Sequence, residues 1–217
     1  MTALLNPPAL NPAPAPMTPG PTTPPPATGI PSGLRPFRWT VARFHQAGET
    51  GAFKGKRPKL INGVLLEQGM MNPPHAEAGE NSEEAMRVAF GPGWRVRVQK
   101  PLVLGLDTDP EPDIAVVRGA TGMGIHPTSA ELVVEISDTT LNDDLTEMAE
   151  LYATAGIPEY WVLDVDGRRL FVFRTPAALP QGLGATTYQT HFTLSDADTV
   201  SPLAVPTATV RVADLLP

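Results

Sequence analysis

The chain contains no cysteine, which excludes disulfides, thiolate nucleophiles and cysteine-ligated zinc together. Histidine is scarce: His45, His75, His126 and His191 are scattered, and none falls in an HxH or HExxH spacing. No run of apolar residues approaches the length of a membrane span. The first ten residues lack both the basic residue and the apolar core of a secretory signal, so a cytoplasmic protein with no membrane association is expected. No charged residue precedes Arg35, so the net charge of −7 falls wholly on residues 35–217. A domain this acidic has no general attraction to phosphate backbones. A local metal site is still compatible with it, because the ion offsets the carboxylates around it.

What is present divides the chain in two. Residues 1–34 are rich in Pro, Ala and Thr and poor in large apolar side chains. Proline cannot donate to helix or sheet ladders, so this stretch is expected to be a disordered tail, locally polyproline-like. Residues 35–217 read as a single α/β domain. Thr40 caps a short helix over 41–47, and Asn62-Gly63 closes a hairpin between Lys59-Leu60-Ile61 and Val64-Leu65-Leu66, because that pair suits a type I′ turn. Ala78, Ser82, Ala85, Met86, Ala89 and Phe90 recur at helical spacing, and Gly91-Pro92-Gly93 must end that helix. Trp94, Val96 and Val98 alternate with polar residues, the period of a half-buried strand. Two mostly apolar strands follow over 113–117 and 131–136, as expected at the centre of a sheet. A second helix, opened by Asn142 or Asp143, runs to Ala155 and stops at Gly156. A hairpin over 160–173 closes the core, and short β pieces over 188–194 and 208–212 add edge structure. The order predicts a mixed sheet with two helices packed on it.

The residues with chemical potential lie on the central strands. Asp113 stands at the head of Ile114-Ala115-Val116-Val117, and Glu135 sits inside Leu132-Val133-Val134-Glu135-Ile136. A carboxylate within a buried strand is costly unless paired or metal-bound. If the strands pair, the two acids converge at one edge of the sheet. Two hard oxygens, a backbone carbonyl and waters suit magnesium or manganese. The alternative is that Asp113 caps a strand and Glu135 makes a structural salt bridge.

The surroundings of these acids carry a resemblance. Pro112-Asp113, Glu135-Ile136-Ser137, the stretch from Asp144 through Glu150-Leu151-Tyr152-Ala153, and Gly156-Ile157-Pro158-Glu159-Tyr160-Trp161-Val162-Leu163-Asp164 resemble the Uma2 family of restriction endonuclease-like proteins, within the PD-(D/E)XK nuclease superfamily. The resemblance covers most of residues 38–217 and leaves the proline-rich tail outside. It implies an αβββαβ core with an added N-terminal hairpin. It also implies a divalent metal on Asp113 and Glu135, with the Ile136 carbonyl completing the set, and phosphodiester cleavage in DNA by a metal-activated water. DNA is then the expected partner, with a homodimer left open. His75, just before the first long helix where the family commonly has a histidine, would approach the metal or the phosphate, or else stand as a surface histidine at the helix N-terminus.

One position departs from the family. The superfamily's lysine usually follows the glutamate by two residues, where this chain has Ser137; Uma2 relatives place it on the following helix, where this chain has Met148 after Glu147. Methionine neither carries charge nor donates, so a catalytic contribution of about two or more orders of magnitude is missing. Leu145, Met148, Ala149 and Tyr152 share a helical stripe, which makes Met148 a core residue. A catalytically silent member serving as a nucleic-acid or protein-binding module is therefore the rival reading. Glu77, Glu80, Glu83 and Glu84 on the first long helix offer a third acid, a role the superfamily sometimes uses, although most of them must be solvated. Lys54, Lys56, Arg57 and Lys59 form one basic run, and Arg95 with Arg97 another basic face, either of which suits phosphate contact or plain solvation. Gly122-Met123-Gly124 is too short for a phosphate loop, and Glu150 and Asp164 read as structural.

Overall fold

The computed structural model describes residues 35–67, 69–119, 124–179 and 186–217. The proline-rich tail and most of Gly122-Met123-Gly124 lie outside the described residues. The chain clusters into residues Met1–Phe37 and a compact unit Arg38–Pro217. The latter contains every element below.

Helix α1 (Val41–Glu49) begins at Thr40, whose hydroxyl accepts the Arg43 N–H, and it buries no residue fully. Strands β1 (Pro58–Ile61) and β2 (Val64–Glu67) form the expected hairpin. Asn62 and Gly63 both take positive φ, 47° and 74°, as the turn requires. Helix α2 (Pro73–Phe90) is capped by the Asn72 side chain, which accepts the His75 N–H at 3.0 Å; Pro73 and Pro74 occupy the first turn, where a missing N–H costs nothing. Its buried residues are Ala78, Ser82, Met86 and Phe90, one stripe of the period read from the sequence.

Strands β3 (Trp94–Val98), β4 (Ile114–Arg118) and β5 (Leu132–Ser137) follow. The single helix expected next is instead two, α3 (Leu141–Leu145) and α4 (Glu147–Thr154). The break is Thr146, at φ −118° and ψ −84°, whose hydroxyl donates back to the Asn142 carbonyl at 2.7 Å. A threonine bonding four residues back competes with the helical ladder. Strands β6 (Glu159–Asp164), β7 (Arg169–Ala178) and β8 (Thr186–Ser195) complete a six-stranded sheet in the order β3-β4-β5-β6-β7-β8. Only β5 and β6 run parallel, joined across α3 and α4; every other pair is antiparallel. The piece expected to add edge structure near Tyr188 is the ten-residue edge strand β8. Strands β9 (Thr199–Val200) and β10 (Val210–Arg211) pair with each other, and a short 3-10 turn, Val212–Asp214, follows.

The sheet is covered on both faces, which is why β4, β5 and β6 are apolar almost throughout. Ile114, Val116, Val134, Trp161 and Leu163 pack on the face of α2 and the C-terminal residues. Ala115, Val117, Val133, Tyr160 and Val162 pack under α4, with its Ala149, Tyr152 and Ala153. Glu159, in the Pro-Glu-Tyr-Trp stretch, is 1% exposed and accepts from Arg174, the Trp161 indole N–H and the Leu203 N–H, fixing β6 to β7 and to the C-terminal loop. Asp164 is likewise buried and paired with Arg169, so its structural reading holds. Glu150 is exposed. Among the described residues, no helix is long and apolar enough to cross a membrane.

Candidate functional site

Side chains alternate across a strand, so Asp113 shares a face with Ala115 and Val117, and Glu135 with Val133. Both acids therefore turn to the α4 side of the sheet, and the pairing of Ile114 with Val134 sets them side by side. Each carboxylate accepts from the backbone of the other's strand. The Asp113 N–H donates to Glu135 Oε2 at 3.1 Å, and the Ile136 N–H donates to Asp113 Oδ2 at 2.9 Å. Each carboxylate is 6% exposed. The predicted convergence is thus present, and the salt bridge that would have made Glu135 purely structural is not among its contacts in the described residues.

Further donors surround the pair. His75 Nε2, on the first turn of α2, lies 3.2 Å from Asp113 Oδ1. The Asn72 cap and the two prolines start α2 here, which is how a local sequence signal sets the position of His75. Gln99 takes a left-handed backbone, φ 47°, and its side-chain amide donates to Asp113 Oδ1 at 3.3 Å. The Tyr152 hydroxyl donates to Glu135 Oε1 at 2.7 Å.

These contacts set opposite ionisation tendencies. Burial pushes Asp113 up, but the hydrogen bond and charge of His75, with the Ile136 N–H and the Gln99 amide, hold it below the usual carboxylate range. The same hydrogen bond to Asp113 raises His75 above its ordinary value against the effect of burial. Burial, and then the Asp113 charge, push Glu135 up to about 8. Asp144 is raised as well, chiefly by burial, against hydrogen bonds from Thr140 and Ser137.

The pair opens into a cavity of about 460 Å³. Glu67, Asp113, Glu135, Asp138, Asp143 and Asp144 line it, against only Lys59 and His75 as basic side chains among the described residues. Met148 lines it too, half-buried, while packing against the α4 core cluster. The core role expected for Met148 is accurate but incomplete, since one edge of the residue faces the acids.

Several expectations are corrected here. The third acid does not come from α2: Glu77, Glu80 and Glu84 are exposed, Glu83 pairs with Arg87, and none of them lines the cavity. Asp144 is the buried acid that does, its carboxylate accepting the Thr140 hydroxyl at 2.6 Å; nothing in its sequence context distinguishes it from Asp143. Arg57 pairs with Glu111 and Lys56 with Glu67, while Arg97 bonds the Pro101 carbonyl. Of both basic groups only Lys59 reaches the cavity. Tyr152 and Gln99 went unrecognised as partners of the acids, because their roles rest on contacts distant in sequence.

Two hard carboxylates sharing a buried space, one of them held partly neutral by the other, form a donor set that a divalent cation would relieve. No group of three or more His, Asp or Glu side chains among the described residues could hold a metal alone. Backbone oxygen and exogenous ligands would have to complete the shell, as is usual for magnesium.

Comparison with known proteins supplies the context. No curated protein matches the chain. Among solved structures, it is similar to one titled a putative nuclease belonging to DUF820 from Anabaena variabilis ATCC 29413, with a TM-score of 0.57 and 18% identity over 74% of this chain and 89% of that one. At that identity the likeness is one of fold. The model of the family Uma2, described as "Putative restriction endonuclease", matches residues 42–213. The chain therefore belongs to the Uma2 family of restriction endonuclease-like proteins.

Proposed function

We propose that the protein is a divalent-metal-dependent DNA endonuclease in which Asp113 and Glu135, with the Ile136 carbonyl, hold magnesium or manganese. The observation that carries this reading is the crossed bonding of the two acids at the mouth of an acidic cavity. The N–H and C=O of a strand residue point to the same side. Since the Ile136 N–H meets Asp113, its carbonyl faces the same edge. When bound, the ion would act as a Lewis acid that lowers the pKa of water and offsets phosphate charge.

The chain's own residues divide the remaining work. The Ile136 N–H, the Gln99 amide and His75 fix the orientation of Asp113, while Tyr152 and the Asp113 N–H fix Glu135. Pre-set ligands of this kind need no rearrangement on loading. His75 also stands where a proton could be accepted or a phosphate oxygen contacted. DNA as partner follows from the family's description and from this chemistry together. An acidic cavity repels phosphate, so binding there requires the cation first.

A second reading, a catalytically silent module that binds nucleic acid or protein, is favoured by Met148, which leaves the helix position without an ammonium. Supercoiled plasmid incubated with manganese separates the two. Nicking by wild type that is lost in Asp113→Ala supports the enzyme. Absence of nicking, with manganese still binding by calorimetry, supports the silent module. Absence of manganese binding removes the metal-site assignment itself.

A further inference from the structure

Position 148, where the family resemblance leads one to expect a lysine, holds a methionine, yet the cavity is not without an ammonium. Lys59 lies on β1, half-buried, and lines the cavity together with Asp113, Glu135 and Met148. Residues two apart on a strand share a face, and Ile61 lines the cavity as well; Leu66, paired directly with Lys59 across the hairpin, does the same. The intervening Leu60 is fully buried, and its carbonyl accepts the Asp109 N–H at 2.7 Å. The turn is also tied down: Gly63 donates to the Asp107 carbonyl at 2.7 Å and accepts the Trp39 N–H at 2.9 Å. A hairpin anchored in this way presents one face, and therefore Lys59, to the acids.

The state of Lys59 differs from that of its neighbours in the basic run. Lys56 and Arg57 are each committed to a glutamate. The Lys59 side chain has no ion pair or hydrogen bond among the described residues, although acids line the cavity around it. A lysine is a compact charge on a flexible four-carbon stem, able to meet a phosphate oxygen from more than one starting point.

Resting on the endonuclease reading above, we propose that Lys59 supplies the phosphate-facing ammonium of this site, in place of the side chain at position 148. The lysine acts as a point charge and hydrogen-bond donor to a non-bridging phosphate oxygen. The position of the ammonium has moved from the helix to the hairpin, while the cavity it serves is unchanged.

The test compares full-length wild type with Lys59→Met, Lys59→Arg, and Lys59→Met combined with Met148→Lys. Plasmid nicking in manganese is one readout. The second is affinity for a short fluorescein-labelled duplex with calcium replacing manganese, so that no turnover is needed. The third is manganese affinity by calorimetry. Lys59→Met is expected to slow nicking by about a hundredfold and to weaken duplex binding, with manganese affinity retained. Lys59→Arg should keep part of the rate, and Met148→Lys should restore part of it to the Lys59→Met protein. If wild type nicks and Lys59→Met nicks within about twofold of it, the role of Lys59 is overturned while the endonuclease reading stands. If wild type does not nick, the endonuclease reading fails, and the duplex titration still decides Lys59: an unchanged affinity in Lys59→Met overturns its contact with phosphate.

Discussion

The Tyr152 hydroxyl donates to Glu135 Oε1 at 2.7 Å, both side chains buried, so that α4 is bonded to the acid of β5 across the sheet surface. This tyrosine belongs to the Tyr-Ala stretch that carries the resemblance in sequence, and the bond gives that stretch a physical reason. Removing the hydroxyl leaves a buried carboxylate oxygen without its donor. Tyr152→Phe should lower stability by about 1–3 kcal/mol, measured by urea unfolding at neutral pH. A change within error would mean that the bond contributes nothing net.

Stability of the metal-free protein should fall as pH rises from weakly acidic to weakly basic. Unfolded glutamate titrates near 4.5, whereas folded Glu135 holds its proton up to about 8. Between those values the folded state binds more protons, so stability declines with pH. His75 adds in the same sense. Its folded pKa is raised, so its contribution is full below 6.5 and is lost as pH rises through the folded value. Asp113 acts oppositely at the acid end: its folded pKa lies below 3.8, so its contribution is present above that value and lost as pH falls through the folded one. In Tm measured against pH in chelator, Glu135→Gln should make the decline below 6.5 shallower and leave the parts contributed by Asp144 and the histidine. An unaltered slope would refute the raised pKa.

Glu159 is buried with Arg174 as its charged partner, at 2.7 Å. Taking away one member of such a pair leaves the other charged and unpaired in the core. Arg174→Met should cost about 3–5 kcal/mol in chemical denaturation. Exposed pairs such as Lys56 with Glu67 should cost about 1 kcal/mol or less when Lys56 is changed to Met.

Gly63 combines a φ of 74° with tight surroundings: an added Cβ would stand 2.9 Å from Arg38 Cδ and 3.3 Å from the Trp39 carbonyl oxygen. Gly51 has a similar φ of 81° but nothing within 4 Å. Both alanine variants carry the backbone strain, so Gly63→Ala should be the more destabilised by about 1 kcal/mol or more. Equal losses in the two would show that Arg38 simply moves aside.

Much of this molecule is decided locally. The Asn-Gly turn, the Asn72 cap with its two prolines, the stop at Gly91 and the apolar runs of β4 and β5 depend on backbone conformation and periodicity, and these are written residue by residue. The same runs placed Asp113 and Glu135 on adjacent strands, since a charge inside an apolar strand is conspicuous in sequence. Other features turn on which partner a group takes, near or far along the chain. The break at Thr146 depends on one hydroxyl choosing a carbonyl over solvent. The six-stranded sheet depends on β5 and β6 meeting in parallel across α3 and α4. The site depends on which side chains face one cavity: Tyr152, Gln99, Asp144 and Lys59 carry no local mark of that role. Sequence alone therefore determined the strands, the turns and the two acids. The tertiary structure decided which partners hold those acids, and which lysine stands opposite them, because burial and Coulomb interaction act between neighbours in space, whatever their separation along the chain.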